Sequence, residues 1–293
     1  MGNPDPYEFD LFNWLPRFPL QADYERYEAK IITSPRHACI NEQLRREVAD
    51  QLDWGRPVPV DIFVMADGEP AHRWVTKVGG LPYRPAAKPW PEDPDGQRLT
   101  FIAQFCFAAS KDLSGDLPGD VLLAFGGPSG DDLSELVLEW HPLGLTDLVS
   151  PKQLPVQHWR IHACYGVRFR TAGYLEAKRK EGFGDSKYLT CRGIEVSSEY
   201  LLPQYQAMQI GRAPFYVQGD PHLPGMPLCV ICSVCPDPHG PYPWVNRPEP
   251  LYSEEDWGRI WTDNHGFLQI GDAGCIYISI DDNYQLHFSE QYY

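Results

Sequence analysis

Proline is spread along nearly the whole chain, and no other feature limits its architecture as much. Each proline holds φ at about −65° and removes a backbone N–H. It therefore ends or kinks a helix, and it enters a sheet only at an edge, a strand start or a bulge. With 29 prolines and 25 glycines in 293 residues, few stretches are long enough for an extended helix. Intrinsic disorder is excluded for most of the chain, because 43% of the residues are hydrophobic and only 22% are charged. The expectation is an α+β fold in which many short strands and a few short helices are joined by proline-rich loops.

Helix signals are sparse. A short polar helix is expected near 23–30. A clearer one starts at Ser34, a capping residue, with Pro35 in its first turn and Gly55 just past its end. Ile40, Leu44, Val48 and Leu52 recur every four residues and give it one apolar stripe. A third is expected from Ser253, with Asp256 as capping-box partner and Trp257, Ile260 and Trp261 on its buried face. Strand-like runs lie at 60–65, 73–78, 99–107, 121–125 and 136–140, and again at 267–270, 275–280 and 285–288, separated by glycine and proline clusters. Trp74 and Trp140 fall inside such runs and read as core. Lys178-Arg179-Lys180, flanked by Glu176 and Glu181, reads as a solvated helix face.

Three anchors recur in the same order, which points to an internal duplication. Lys77-Val78-Gly79-Gly80-Leu81-Pro82-Tyr83 is similar to Gln209-Ile210-Gly211-Arg212-Ala213-Pro214-Phe215. The apolar run at 99–104 then matches that at 228–233, and Pro118-Gly119-Asp120 matches Gly271-Asp272-Ala273-Gly274, each ahead of a strand. The expected organisation is an N-terminal arm and helix over 1–56, a first β-rich half over 57–150, and a second over 151–293 with an insertion near 236–262. The Gly79 and Gly211 corners are expected to supply a positive φ or a close backbone approach.

Val78-Gly79-Gly80-Leu81-Pro82, Pro89-Trp90-Pro91 and the run at 99–104, together with the second set of anchors, resemble the YwqG-like family of bacterial proteins. The resemblance spans roughly 60–293. It implies an α+β fold of two related β-rich halves and no assigned activity. Some relatives lie in toxin and immunity gene neighbourhoods, which implies an immunity-type role.

Candidate chemistry is thin. Cys229, Cys232 and Cys235, followed by His239, have the residue types of a zinc site. On a strand, however, Cys229 and Cys232 would face opposite sides, and no glycine or proline between them makes the tight turn of a chelate. Buried thiols are the preferred reading, no cofactor is expected, and zinc is the alternative. His158, Arg160 and His162 share one face of an expected half-buried strand and could meet an anion. No nucleophile elbow, phosphate-binding loop or calcium loop is present. The acidic pairs Asp131-Asp132 and Asp281-Asp282 read as turns.

Aromatic loops stiffened by proline are the strongest functional lead. Tyr83-Arg84-Pro85, Lys88-Pro89-Trp90-Pro91 and Tyr242-Pro243-Trp244 would present rings and Arg84 outward, as interface anchors do. Gln104 and Gln218 complete a set that could line a pocket between the two halves. Lys plus Arg number 25 against 40 Asp plus Glu, a net charge of −15 with no basic cluster, which argues against nucleic acid and is compatible with a basic protein partner. The N-terminus lacks a signal-peptide pattern, no apolar run is long enough to span a membrane, and the scattered cysteines suit a reducing compartment, so a cytosolic location is expected. These features suggest a non-enzymatic protein-interaction protein, of which immunity to a toxin is one version. An enzyme or small-molecule binder and a zinc-stabilised module remain the alternatives.

Overall fold

The computed structural model describes residues 52–53, 56–127, 136–155, 161–175, 178–179, 188–191, 194–197, 208–214, 216–234, 245–246, 268–271 and 274–292. In chain order the strands are β1 (Leu52–Asp53), β2 (Arg56–Asp67), β3 (Lys77–Val78), β4 (Thr100–Cys106), β5 (Val121–Gly126), β6 (Val137–His141), β7 (Cys164–Leu175), β8 (Lys178–Arg179), β9 (Tyr188–Cys191), β10 (Ile194–Ser197), β11 (Met208–Gly211), β12 (Met226–Cys232), β13 (Val245–Asn246), β14 (Cys275–Ile280) and β15 (Leu286–Gln291). Between β4 and β5 lies a single helical turn, α1 (Lys111–Ser114), and a 3-10 turn covers Pro151–Gln153.

One 11-stranded sheet dominates, in the order β15-β14-β12-β11-β2-β7-β3-β4-β5-β6, with β13 parallel to β2. Its centre is the antiparallel pair β2–β7, in which twelve residues of each strand are matched from Arg56↔Leu175 to Asp67↔Cys164. The two flanks interleave. β2 comes early in the chain but bonds to β11 of the later flank, and β7 bonds to β3 of the earlier one.

Residues of both flanks share one core. In β5, Leu122 and Ala124 face this shared cluster, and Val121, Leu123 and Phe125 face a second cluster with Leu99, Phe101 and Tyr83. In β14, Ile276, Ile278 and Ile280 face the shared cluster, and Cys275 and Tyr277 join Val230 and Cys232 on the other side. The side-chain period of two thus places apolar residues on both faces of strands from both flanks. Such strands read as continuous hydrophobic runs, because neither face meets water.

This architecture corrects the α+β expectation. Among the described residues the regular secondary structure is nearly all strand, with only the single turn α1 and one 3-10 turn as helix. Leu52, placed in the apolar stripe of a helix, lies instead on β1, and Lys178 and Arg179, read as a helix face, form its partner β8. The rest of the helix starting at Ser34, the polar helix near 23–30 and the helix from Ser253 lie outside the described residues. A duplicated unit is not shown. The two flanks share a meander order, but the long strands exchange sides, and the connections between corresponding strands differ, with α1 on one side and residues 233–274 on the other.

The glycine corner behaves as its residues require. Gly79 has φ +60°, and a Cβ there would lie 2.5 Å from the Ile161 carbonyl oxygen. Both the conformation and the space exclude a side chain.

A buried charge crosses the central strand pair. Asp61 on β2 lies opposite Arg170 on β7 and is fully buried. Arg170 grips it in a fork, Nε to Oδ1 at 2.5 Å and Nη2 to Oδ2 at 3.1 Å. Ser110 Oγ donates to Asp61 Oδ2 at 2.6 Å, and Arg168 Nη1 approaches the same oxygen at 3.3 Å. Arg170 also binds Asp112 of α1, which fastens that turn to the sheet. Removing the carboxylate would leave two guanidinium groups, each only 21–25% exposed, without their shared buried acceptor, although Arg170 would keep Asp112. We expect Asp61→Ala to lower unfolding free energy by about 3–5 kcal/mol, read from urea denaturation. A loss under 1 kcal/mol would mean that the arginines find water or another acceptor.

Candidate interaction site

The connection from β2 to β3, residues 68–76, is held by polar side chains, of which Lys77 and Gln104 are fully buried. Gly68 N donates to Ala163 O at its start. Glu69 then folds back: Oε2 meets Lys77 Nζ at 2.8 Å, and Oε1 accepts from Leu81 N at 2.6 Å. The Lys77 side chain is fully buried. Burial lowers the pKa of its ammonium, and the Glu69 carboxylate offsets part of that.

Gln104, on β4 directly opposite Lys77, secures the top of the loop. Its Nε2 donates to Arg73 O at 2.7 Å and to Val75 O at 2.8 Å, the carbonyls on either side of Trp74. Its Oε1 accepts from Tyr83 N at 2.9 Å. Arg73 Nη2 donates to Pro82 O, which ties the loop to the glycine-proline corner. At the tip, Trp74 is 38% exposed, and its ring lies on that of His72, with centroids 5.5 Å apart and planes 18° apart. A large flat aromatic surface is thus displayed on backbone with little freedom to lose.

Trp74 was expected in the core, and of the segments expected to project, Tyr83-Arg84 and Trp90 turn inward. Arg84 is fully buried. Its Nε and Nη2 reach Glu139 at 2.8 and 3.1 Å, Nη1 donates to Lys88 O at 2.8 Å, and Nη2 donates to Pro89 O. The guanidinium also lies over the rings of Trp90 and Phe125. Trp90 Nε1 donates to Leu99 O, and Tyr83 OH accepts from Leu145 N. Tyr83, Arg84, Trp90 and Gln104 are therefore neighbours, as a shared site requires, but their polar atoms are engaged within the chain.

Gln218 lies in the other flank. It clips the C-terminal strand, donating through N to Gln291 Oε1 at 3.0 Å and through Nε2 to Tyr292 O. His162 is half-buried, with its carbonyl against the Gly79 corner. His158, Arg160, Tyr242 and Trp244 lie outside the described residues, as do Cys235 and His239. Cys229 packs in the shared core and Cys232 in the cluster on the opposite face, so these two thiols do not converge on one ion. Among the described residues no three potential ligands cluster. Among them also, no helix is long and apolar enough to cross a membrane.

One hollow, of about 290 Å³, lies between residues 211–230 and β14, within the later flank rather than between the two. Tyr216, Asp220, His222, Tyr277 and Ser279 supply its polar lining. Tyr277 OH accepts from Val217 N at 2.9 Å, and Ser279 Oγ donates to Pro224 O at 2.7 Å. Burial, with Asp220 nearby, pushes the Tyr216 phenol up to about 12.

Glu139 is the hub of the Arg84 cluster, and its titration is expected to show in stability. Burial alone would raise its pKa, but hydrogen bonds from His141, Arg84 and Lys88 outweigh that and bring it down to about 2. A carboxylate depressed in the folded state stabilises fully above its unfolded value of about 4.3 and loses that contribution as pH falls through the folded value. Unfolding free energy is therefore expected to drop between about pH 4.5 and pH 2, and Glu139→Gln should flatten part of that slope while lowering stability at pH 7. Denaturation series at several pH values read both effects, and an unchanged acid slope would show that Glu139 is not the group responsible.

Residues 76–134, which carry Lys77, the glycine corner, Gln104, Arg84 and Trp90, match the model of a domain of unknown function, DUF1963. No curated protein matches the chain. By this segment, which starts two residues after Trp74, the chain is similar to an uncharacterised domain family.

Proposed function

We propose that the chain is a non-enzymatic protein-binding protein of the YwqG-like family, acting in the cytosol, with the Trp74–His72 tip as its main anchor. The observation that carries this reading is a tryptophan left 38% exposed on a loop whose flanking carbonyls are both held by a buried glutamine. Exposed tryptophans on rigid backbone are the residues that most often dominate an interface, because they bury a large area with little entropy to lose. The ionised groups best buried among the described residues favour the same reading. Lys77, Arg84 and Asp61 are each engaged by partners within the chain rather than turned toward a substrate. A net charge of −15 would speed encounter with a basic partner and make the association rate fall with salt. An immunity-type protein covering the basic surface of a toxin fits this description.

The hollow beside Tyr216 and Asp220 supports a second reading, in which the later flank binds a small molecule. A metabolite screen by thermal shift tests it: a ligand at 100 times its dissociation constant adds about 2.7 kcal/mol of stability. The two readings separate by mutation, since the hollow does not include Trp74.

For the leading reading, the chain would be co-expressed with the products of its neighbouring genes, and any complex measured by calorimetry. Trp74→Ala is expected to weaken that complex by about 30-fold or more, in line with a hot-spot loss of about 2 kcal/mol. Because Trp74 is exposed, the melting temperature should barely move. Failure to form a stable complex with any neighbour, or a complex indifferent to Trp74→Ala, would count against the proposal.

A further inference from the structure

Cys232 is the middle cysteine of the run at 229–235, and its closest sulfur belongs to a residue far away in sequence. Cys232 on β12 and Cys275 on β14 are matched residues of adjacent antiparallel strands. Their sulfurs are 3.1 Å apart, with the residues 43 positions apart in the chain and both side chains fully buried. Unbonded heavy atoms in good packing sit about 3.5–4.0 Å apart, so this pair is already inside that distance. Residues directly opposite on antiparallel strands have Cα atoms about 4.5–5.5 Å apart, within the range that a disulfide spans without moving the backbone. The neighbours of the pair are apolar or aromatic: Val230, Tyr277, Tyr216, Val217 and Leu223. Among the described residues no further cysteine, histidine or carboxylate joins the two thiols in a metal-binding group.

We propose that Cys232 and Cys275 are an oxidation site, a cross-strand dithiol that hydrogen peroxide converts to a disulfide joining β12 to β14. In the first step one thiol, deprotonated, attacks a peroxide oxygen. The O–O bond breaks, the sulfur becomes a sulfenic acid, and the leaving hydroxide takes up the displaced proton as water. The second thiol then attacks the sulfenic sulfur. The S–S bond forms, the S–O bond breaks, and a second water leaves. Two thiols lose two electrons and two protons, and one peroxide is reduced to two waters.

Burial sets the rate of this reaction. It raises the Cys232 thiol above its ordinary range, and the contact with Cys275 raises it further, so Cys232 offers little thiolate in the closed form. Oxidation therefore proceeds when the strands open locally, and it is slower than that of an exposed thiol. Once made, the bond closes a long loop of the unfolded chain and stabilises the later flank. This site is separate from the Trp74 loop and does not depend on the function proposed for it.

The test uses the full reduced chain, treated with hydrogen peroxide, quenched, unfolded in iodoacetamide and digested for mass spectrometry. A linked peptide pair containing Cys232 and Cys275, lighter by two hydrogens than the sum of the free thiols, is the expected product, with Cys229 alkylated. Oxidised protein should melt about 5 °C or more above reduced protein, and dithiothreitol should reverse the shift. Cys232→Ala and Cys275→Ala should each abolish that shift, and Cys229→Ala should keep it. If either variant fails to fold, the peptide map of the natural chain decides alone. The proposal is overturned if both thiols stay alkylatable after prolonged peroxide treatment, or if Cys232 is found linked to any cysteine other than Cys275.

Discussion

The pairing of Asp61 with Arg170 holds the position on which the remaining strands are laid out. β2 and β7 are the central strands, and both flanks take their register from them. A hydrophobic pattern alone fixes register weakly here. Val60, Ile62, Phe63 and Met65 are all buried, so both faces of β2 are apolar, and a slip by one residue would still bury apolar side chains. A charged residue in that run removes the ambiguity. Displaced by one residue, Asp61 would face the other side of the sheet, away from its opposite partner Arg170, as an uncompensated carboxylate. The ion pair need not add net stability over an apolar substitute to do this, because its role is to make the alternatives worse.

The same device recurs at the loops. Arg84 and Lys77 are long cationic side chains taken wholly out of water, each matched by a carboxylate from another segment, Glu139 and Glu69. Each also ties irregular backbone to the sheet, Arg84 through the Lys88 and Pro89 carbonyls and Glu69 through Leu81 N. Proline supplies no donor of its own, so a proline-rich connection leaves carbonyls that need a donor from elsewhere. Buried arginine, with five donors in a fixed fork, is well suited to that deficit. The shortage of helix and the abundance of proline therefore create the need for buried guanidinium groups.

This logic explains which parts of the structure could be read from sequence. The strands β5 and β14 were legible almost to the residue, because each is a short apolar run bounded by glycine. The positive φ at Gly79 and Gly211 was legible for the same local reason. The placement of Cys229 and Cys232 on opposite faces followed from strand periodicity. Trp74 was misplaced because the run from Arg73 to Val78, rich in aromatic and β-branched residues, reads as a strand, although only Lys77 and Val78 pair. Nothing local reveals that Gln104, about thirty residues on, pins the carbonyls of residues 73 and 75 and turns the ring outward. Arg84 was misplaced for the converse reason. A basic residue between an aromatic and a proline looks exposed, and its carboxylate partner lies 55 residues away. The Asp61–Arg170 and Cys232–Cys275 pairs, separated by 109 and 43 residues, were equally invisible, since only the fold brings them together.

The division of labour around Trp74 bears on how such a scaffold could serve different partners. The residues that hold the loop, Lys77 and Gln104, and the glycine corner beside them, fall inside the segment that matches the uncharacterised domain family. The residues displayed, His72 and Trp74, fall just before it. The holding residues act through backbone carbonyls and one carboxylate, so they place few demands on which side chains stand at the tip. Exchanging the ring at position 74 leaves Gln104 bonded to the same two carbonyls, and the loop keeps its shape. On the binding function proposed for this chain, partner choice can therefore change without disturbing the fold.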